Sequence, residues 1–396
     1  MKRPDGPAAT WPGSIAGGSL AAGKSRMPTV VYLINVDWFF VSHFQHLARR
    51  TLARGNRVVL ATKLGPSSES LKGSGITLVD LPVQRNGVRP RGLAASVRLV
   101  ESYLMETNKP VLHAFGLFGV LVGTLATRRL PHVRCVYTIT GRGYASVGRG
   151  LWVRLVRMVA PLFNRYLADD ENTRWMVENK ADIASSGLTR ACRDGRVMVV
   201  GGAGVDPDVL VPSPLPDRPP LRIGFVARLI WSKGLDIAVR AVSLARARGC
   251  DATLTIAGTP DASNPRAFTK EDLEAFASSP GIRFVGQIDD IPEFWRHHHL
   301  AFLPSRGGEG MPKSLIEAAS CGRPVLTTRV PGCEDLALAT GGWIVAAEDA
   351  EAAADAIVEI AACTDLEARG VRARDVIQER YSESKLWDVA EAYYFN

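Results

Sequence analysis

Pro207, Pro212, Pro214, Pro216, Pro219 and Pro220 crowd one short stretch near the middle of the chain, and the same rhythm runs on both sides of it. The rhythm is a brief apolar run followed by an amphipathic stretch of helical period. Strands alternating with helices build a parallel sheet, and a proline-rich break between two such series separates two domains. The first series reads as strands near 29–35, 57–61, 76–80, 110–115, 134–140, 165–168 and 197–201, with helices near 39–54, 91–107, 118–129, 148–164 and 171–180. The second has strands near 221–227, 252–257, 282–286, 300–304, 324–328 and 343–346, with helices near 234–248, 269–278, 291–298, 312–321, 333–339 and 349–361. The expected architecture is α/β: two doubly wound parallel-sheet domains, 28–206 and 221–380, facing each other across a cleft at the strand C-termini. Residues 207–220 are the expected linker and hinge. A last amphipathic helix within 381–396 is expected to pack back towards the first domain.

Composition removes several classes. With 46% hydrophobic and 22% charged residues, the 396-residue chain is neither disordered, fibrous nor a multi-span membrane protein. Residues 1–27 are rich in Gly, Ala, Ser and Pro without an apolar signal core, and read as a disordered tail with Met27 as an alternative start. Pro110–Thr127 lacks Asp, Glu, Lys and Arg, but His113, three glycines and a strand-like beginning favour a buried strand plus helix over a membrane span. The six cysteines form no C-x-x-C pair and no zinc spacing, which fits reduced, buried thiols in a cytoplasmic protein.

Charge is segregated. Up to Asp206 the chain holds 28 Lys and Arg against 13 Asp and Glu, a balance of +15; the remainder holds 20 against 27, a balance of −7. The basic half should meet something anionic: a phosphate-bearing substrate, an acidic membrane surface or nucleic acid.

Two stretches carry chemistry. In Ser305–Ala319 an apolar strand runs into a Gly-rich turn, and Pro312 stands where the first residue of a helix is expected. Free N–H groups at Gly310 to Lys313 would then face the cleft, and such a helix start binds phosphate. Glu309 lies on the turn. Glu317 lies five residues past Pro312, about 7.5 Å along the helix. Taken alone, the stretch also fits a capped surface helix with two solvated glutamates. In Gly224–Gly234 a strand end delivers Arg228, and Lys233 precedes a helix; two cations there can clamp a diphosphate or form a surface salt-bridge network.

Together, these residues resemble the retaining glycosyltransferases of family 4, which have the GT-B fold of two Rossmann-like domains. The resemblance covers nearly all of 221–346. The family's two glutamates match Glu309 and Glu317, and its R-L-x-x-x-K-G stretch matches Arg228, Lys233 and Gly234. Gly281–Pro292 looks like the strand and loop beside the nucleotide base, which brings in Gly286 and Ile288. The first half is similar to a branch acting on bacterial surface polysaccharides, at Asn35–His43, Leu112–Phe115 and Tyr137–Gly143. Leu167–Asp170 departs from the pattern, since relatives often have an Asn before Pro-Asp there. Val200–Asp206 matches the family's turn before the linker.

The resemblance implies roles. Arg228 and Lys233 would bind the donor diphosphate, with Gly310 and Met311 offering N–H groups. Glu309 would contact the donor sugar near the reacting carbon, and Glu317 the ribose hydroxyls. Trp38, His43, Gly141 and Arg142 would lie towards the acceptor, and His113 near the reacting sugar, although a lone His is also a common satisfied core residue. Neither metal nor cofactor is expected, because cations and a helix N-terminus neutralise the diphosphate and Asp289-Asp290 is read as loop. The implied reaction moves a sugar from a nucleotide-sugar to an undecaprenyl-diphosphate-linked saccharide, at the inner face of the cell membrane and without a nucleic-acid partner. A nucleotide-sugar 2-epimerase of the same fold, or a non-catalytic basic module for membrane or nucleic acid, are the competing readings. An NAD(P) dehydrogenase is disfavoured, since no Gly-rich turn follows the first strand. Gly148–Arg165, with four arginines among Trp152, Leu155, Met158, Leu162 and Phe163, reads as a basic amphipathic helix whose apolar side faces either an anionic leaflet or the core.

Overall fold

The computed structural model describes residues 27–83, 90–141, 150–262, 264–308 and 310–396. Two parallel sheets form. The first runs β1 (Thr29–Val36), β2 (Arg57–Lys63), β3 (Ile76–Asp80), β4 (Pro110–Phe115), β5 (Arg134–Ile139), β6 (Thr173–Val177) and β7 (Val197–Val199), in the order 3-2-1-4-5-6-7. The second runs β8 (Leu221–Val226), β9 (Ala252–Ala257), β10 (Ile282–Gly286), β11 (Leu300–Leu303), β12 (Val325–Thr328) and β13 (Trp343–Val345), in the order 10-9-8-11-12-13. Every pairing is parallel, which demands helices on both faces. The strands accordingly read as continuous apolar runs; all six residues of β4 are buried. Strand order reverses between β1 and β4 and between β8 and β11, and each reversal opens a crevice at the strand C-terminal ends.

Four expectations need correction. Residues 165–168 are not a strand but part of a π-helical turn, Asn164–Ala168, and the expected helix at 171–180 is instead β6. Thr173, Trp175 and Val177 alternate in a central strand between β5 and β7, where burial on both faces favours branched and aromatic side chains. The first helix breaks at Phe44 into Asp37–His43 and Gln45–Ala53. A fifteen-residue helix, Leu366–Arg380, lies where none was expected. Of the cysteines, Cys135, Cys321 and Cys333 are buried, whereas Cys192 is exposed, and no disulfide joins any of the six.

The proline-rich segment is fastened to the second sheet's domain rather than free to bend. The buried Arg323 guanidinium donates to the Ser213 carbonyl at 2.7 Å, the Ser213 hydroxyl at 2.6 Å and the Pro214 carbonyl at 3.3 Å. His299 bonds the Pro216 carbonyl at 2.8 Å, and Arg374 donates to Leu210 and Pro207. Just before it, Gly201, Gly202 and Gly204 all adopt positive φ, and a Cβ at each would press on Tyr381, Met311 or the Glu383 backbone, so glycine fits this buried turn. Val205 pairs there with Ser382, and the chain re-enters the first domain as the helix Glu383–Phe395. Leu386, Trp387, Ala390 and Tyr394 of that helix join the core around Tyr32 and Phe40.

Candidate active site

The two crevices meet in one cleft of about 870 Å³. Trp38, His43 and Glu178 line it from the first domain; Arg228, Lys233 and Lys313 line it from the second.

One buried arginine joins the two chemical motifs. Arg306, on the turn after β11, donates both ends of its guanidinium to Asp236 at 2.8 and 2.7 Å and also bonds the Trp231 carbonyl at 2.7 Å. Its backbone N–H donates to the Ser232 carbonyl at 2.8 Å. The Trp231 ring packs against Arg306 and Arg266, 4.4 and 3.2 Å from its centroid. The loop bearing Arg228 and Lys233 is thereby held against the turn that leads to the helix Lys313–Ser320. Gly234 closes the loop at φ 74°, and a Cβ there would sit 2.0 Å from the Pro304 carbonyl oxygen. Only glycine fits, which gives the K-G pair its physical reason.

Arg228 is oriented from both sides of the cleft. It donates to Asp261 at 2.7 Å, and its guanidinium lies 5.6 Å from the Trp38 ring centroid. Trp38 is fixed through Asp37, whose carboxylate accepts from the N–H groups of Trp38, Gly65 and Ser68 and from the Ser68 hydroxyl. Lys313 reaches across the cleft to donate to the Ser42 carbonyl, and its ammonium lies 3.7 Å from Glu317. His43, bonded to the Ser42 hydroxyl at 2.6 Å, stands among these cations. Burial, and then Lys313, Lys233 and Arg228, push its proton affinity down to about 3, so the ring is neutral near pH 7. Ile288 lines the cleft just beyond β10, which Gly286 ends at φ 72°. Glu317 is shielded, with burial raising its carboxyl above the usual range and Lys313 opposing that shift.

The helix start departs from expectation. Pro312 caps the helix from an extended conformation, and Lys313 is the first helical residue. The Met311 N–H does not stand open to the cleft: it donates to Glu178 Oε2 at 2.8 Å. Asn179 Nδ2 donates to the Gly310 carbonyl at 3.0 Å. Both partners follow β6, the strand whose residues read as helix, so their contact with Gly310 and Met311 was hidden. Glu309 and Arg142 lie outside the described residues, and Gly141 stands at the edge of the latter gap. Asp261, Lys313, Glu178 and Arg306 were missed; Asp261 and Glu178 follow strand C-termini, the signal that could have found them.

His113 is not at the cleft. It is fully buried within β4, bonded through Nδ1 to the Tyr394 hydroxyl and through Nε2 to Thr138 Oγ1 at 2.6 Å, and its ring stacks on Phe115. Both ring nitrogens are satisfied in the core, which excludes contact with a reacting sugar. Burial pushes its protonation down to about 3, against about 6.5 in an unfolded chain. Below pH 6.5 the unfolded chain gains a proton that the folded chain refuses. Stability is therefore expected to fall as pH drops from about 6.5 towards 3, by up to about 1.4 kcal/mol per pH unit from this group. Urea unfolding at pH 7, 6 and 5 should show that share of the slope missing in His113→Gln; an unchanged slope would mean that the folded state accepts the proton.

Family models match both halves. One, "Glycosyl transferases group 1", matches residues 220–363, and another, "Glycosyl transferase 4-like", matches residues 29–163, together more than two thirds of the chain. The chain belongs to this glycosyltransferase family. A human phosphatidylinositol N-acetylglucosaminyltransferase subunit is 22% identical over 81% of this chain and 66% of its own length. The putative colanic acid biosynthesis glycosyltransferase WcaL of Salmonella typhimurium is 30% identical over 42% of this chain and 43% of its own. The N,N'-diacetylbacillosaminyl-diphospho-undecaprenol alpha-1,3-N-acetylgalactosaminyltransferase of Campylobacter jejuni is 20% identical over 67% and 71%. The chain thus spans under two thirds of the length of the first two relatives. The crystal structure of Anabaena HepE with UDP and glucose superposes with a TM-score of 0.69 at 16% identity, covering 92% of this chain and 98% of that one. The shared fold is GT-B, two Rossmann-like domains facing across a cleft.

Proposed function

We propose that the protein is a retaining glycosyltransferase that moves a sugar from a nucleotide-sugar to a lipid-diphosphate-linked saccharide in surface polysaccharide biosynthesis. The observation that carries this reading is the convergence of Arg228, Lys233 and Lys313 at the crevice of the second sheet. Three cations in a half-buried cleft suit a diphosphate, whose negative charge grows as the sugar departs. The relatives' printed names favour a polysaccharide or lipid-linked acceptor, and the UDP-bound neighbour makes UDP the first nucleotide to test.

Glu309 is assigned to the donor sugar in this reading, and Glu317 to the ribose. Retention by double inversion would need a carboxylate nucleophile about 5 Å from an acid/base partner. Glu178 lies in the cleft, but its Oε2 is engaged by the Met311 N–H. Front-face attack, with the leaving diphosphate taking the acceptor proton, fits better. Cations perform the phosphate neutralisation, so turnover should survive EDTA.

Screening UDP-, GDP- and ADP-sugars against a lipid-diphosphate-sugar acceptor, with product mass and anomeric configuration followed, tests the reading. Glu309→Gln should remove most turnover while leaving the melting temperature unchanged. Parent-like turnover in that variant would refute the role given to Glu309, and an inverted product would refute retention.

A further inference from the structure

We infer that Glu178 is an affinity-setting residue: a protein carboxylate seated on the N–H group that the donor diphosphate needs. The inference rests on the donor reading above, and deepens it. Glu178 belongs to the first domain, at the C-terminal end of β6, yet it is 5% exposed and bonds the Met311 N–H of the second domain at 2.8 Å. That N–H lies two residues before the helix Lys313–Ser320, where the backbone favours an anion. Asn179 makes the neighbouring bond, from Nδ2 to the Gly310 carbonyl. The approach is close: a Cβ at residue 310 would come within 1.6 Å of Glu178 Oε2 and 2.9 Å of the Gly141 backbone nitrogen.

One N–H cannot serve a carboxylate and a phosphate oxygen together, and two anions at that separation repel. Donor entry must therefore displace Glu178 or bind against its charge. Either way the carboxylate weakens donor affinity. The consequence has an unusual sign: loss of a charged side chain from the centre of a binding cleft tightens binding. Glu178→Gln keeps the shape and a weaker acceptor for the Met311 N–H, and removes the charge. Asn179→Ala loosens the same junction without a change in charge.

Titration calorimetry with UDP, GDP and ADP on the parent selects the nucleotide to use. Glu178→Gln should then bind it about tenfold more tightly, and the donor KM should fall by a similar factor. Asn179→Ala should show no such gain, which separates charge from loosening. Unchanged or weaker binding by Glu178→Gln overturns the inference, as does an equal gain in Asn179→Ala. A parent that binds none of the three nucleotides overturns the donor reading itself, and this inference with it.

Discussion

A protein carrying both Arg228→Ala and Lys233→Ala is expected to bind nucleotide diphosphate at least a hundredfold more weakly than the parent. Each charged hydrogen bond to a phosphate contributes about 1.5–3 kcal/mol, so the loss of two amounts to two decades or more. Arg228 carries a second consequence. It pairs with Asp261, whose side chain is only 8% exposed. Truncating the arginine takes a positive charge away from a carboxylate that lines the same cleft, so Arg228→Ala alone should cost more than Lys233→Ala alone. Asp261→Asn separates the two effects, since it keeps the guanidinium and removes only the charge that orients it. Arg228 is about half exposed and its loop is held by Arg306, so melting temperature should change little. Calorimetry with UDP measures the affinities. Double-variant binding within twofold of the parent would mean that the donor does not lie along this loop.

The two βα series were legible because a parallel sheet covered on both faces forces apolar strands, and those strands fixed where each motif loop emerges. Arg228, Lys233, Trp38, His43 and Ile288 duly line one cleft. What sequence could not show was pairing between distant segments. The stretch from Glu171 to Lys180 mixes polar ends with a short apolar middle, and only its place between β5 and β7 makes it a strand. That single misreading hid Glu178 and left the Met311 N–H apparently open. Leu366–Arg380 is dominated by charge and contains Gly370, so local preference gave little sign of a helix. His113 looked chemical for the opposite reason: its neighbours in sequence match a family motif, whereas its partners, Tyr394 and Thr138, come from elsewhere in the chain. The proline-rich stretch looked like a hinge because proline breaks regular structure; Arg323, His299 and Arg374 turn it into a fixed strap.

The second large effect concerns the membrane. The helix Leu151–Phe163 presents Leu155, Met158, Val159 and Leu162 to solvent, at 44%, 62%, 46% and 52% exposure. Their spacing, i, i+3, i+4 and i+7, puts all four on one helical stripe. Tyr166 and Leu167, each 66% exposed, extend the stripe into the π-helical turn. Val153 and Phe163 pack inward, so the apolar stripe is additional to the core face rather than part of it. Arg154 and Arg165 are exposed beside it, within a half of the chain that carries +15; Arg149 lies outside the described residues, as does the side chain of Trp152. No helix among the described residues is long and apolar enough to cross a membrane. An apolar stripe flanked by arginines suits an anionic leaflet, where each basic residue contributes about 1 kcal/mol within a Debye length and each buried methylene about 0.8 kcal/mol. The protein is therefore expected to sediment with anionic vesicles and not with neutral ones, less so as salt rises towards 1 M. Arg149→Glu, Arg154→Glu and Arg157→Glu together should abolish sedimentation and lower turnover on lipid acceptors only. Leu155→Ser with Leu162→Ser should weaken it without changing the salt dependence, because those side chains contribute burial and not charge. Parent-like sedimentation of both variants would move the docking surface elsewhere, and loss of turnover on water-soluble acceptors as well would show damage to the cleft rather than to membrane docking.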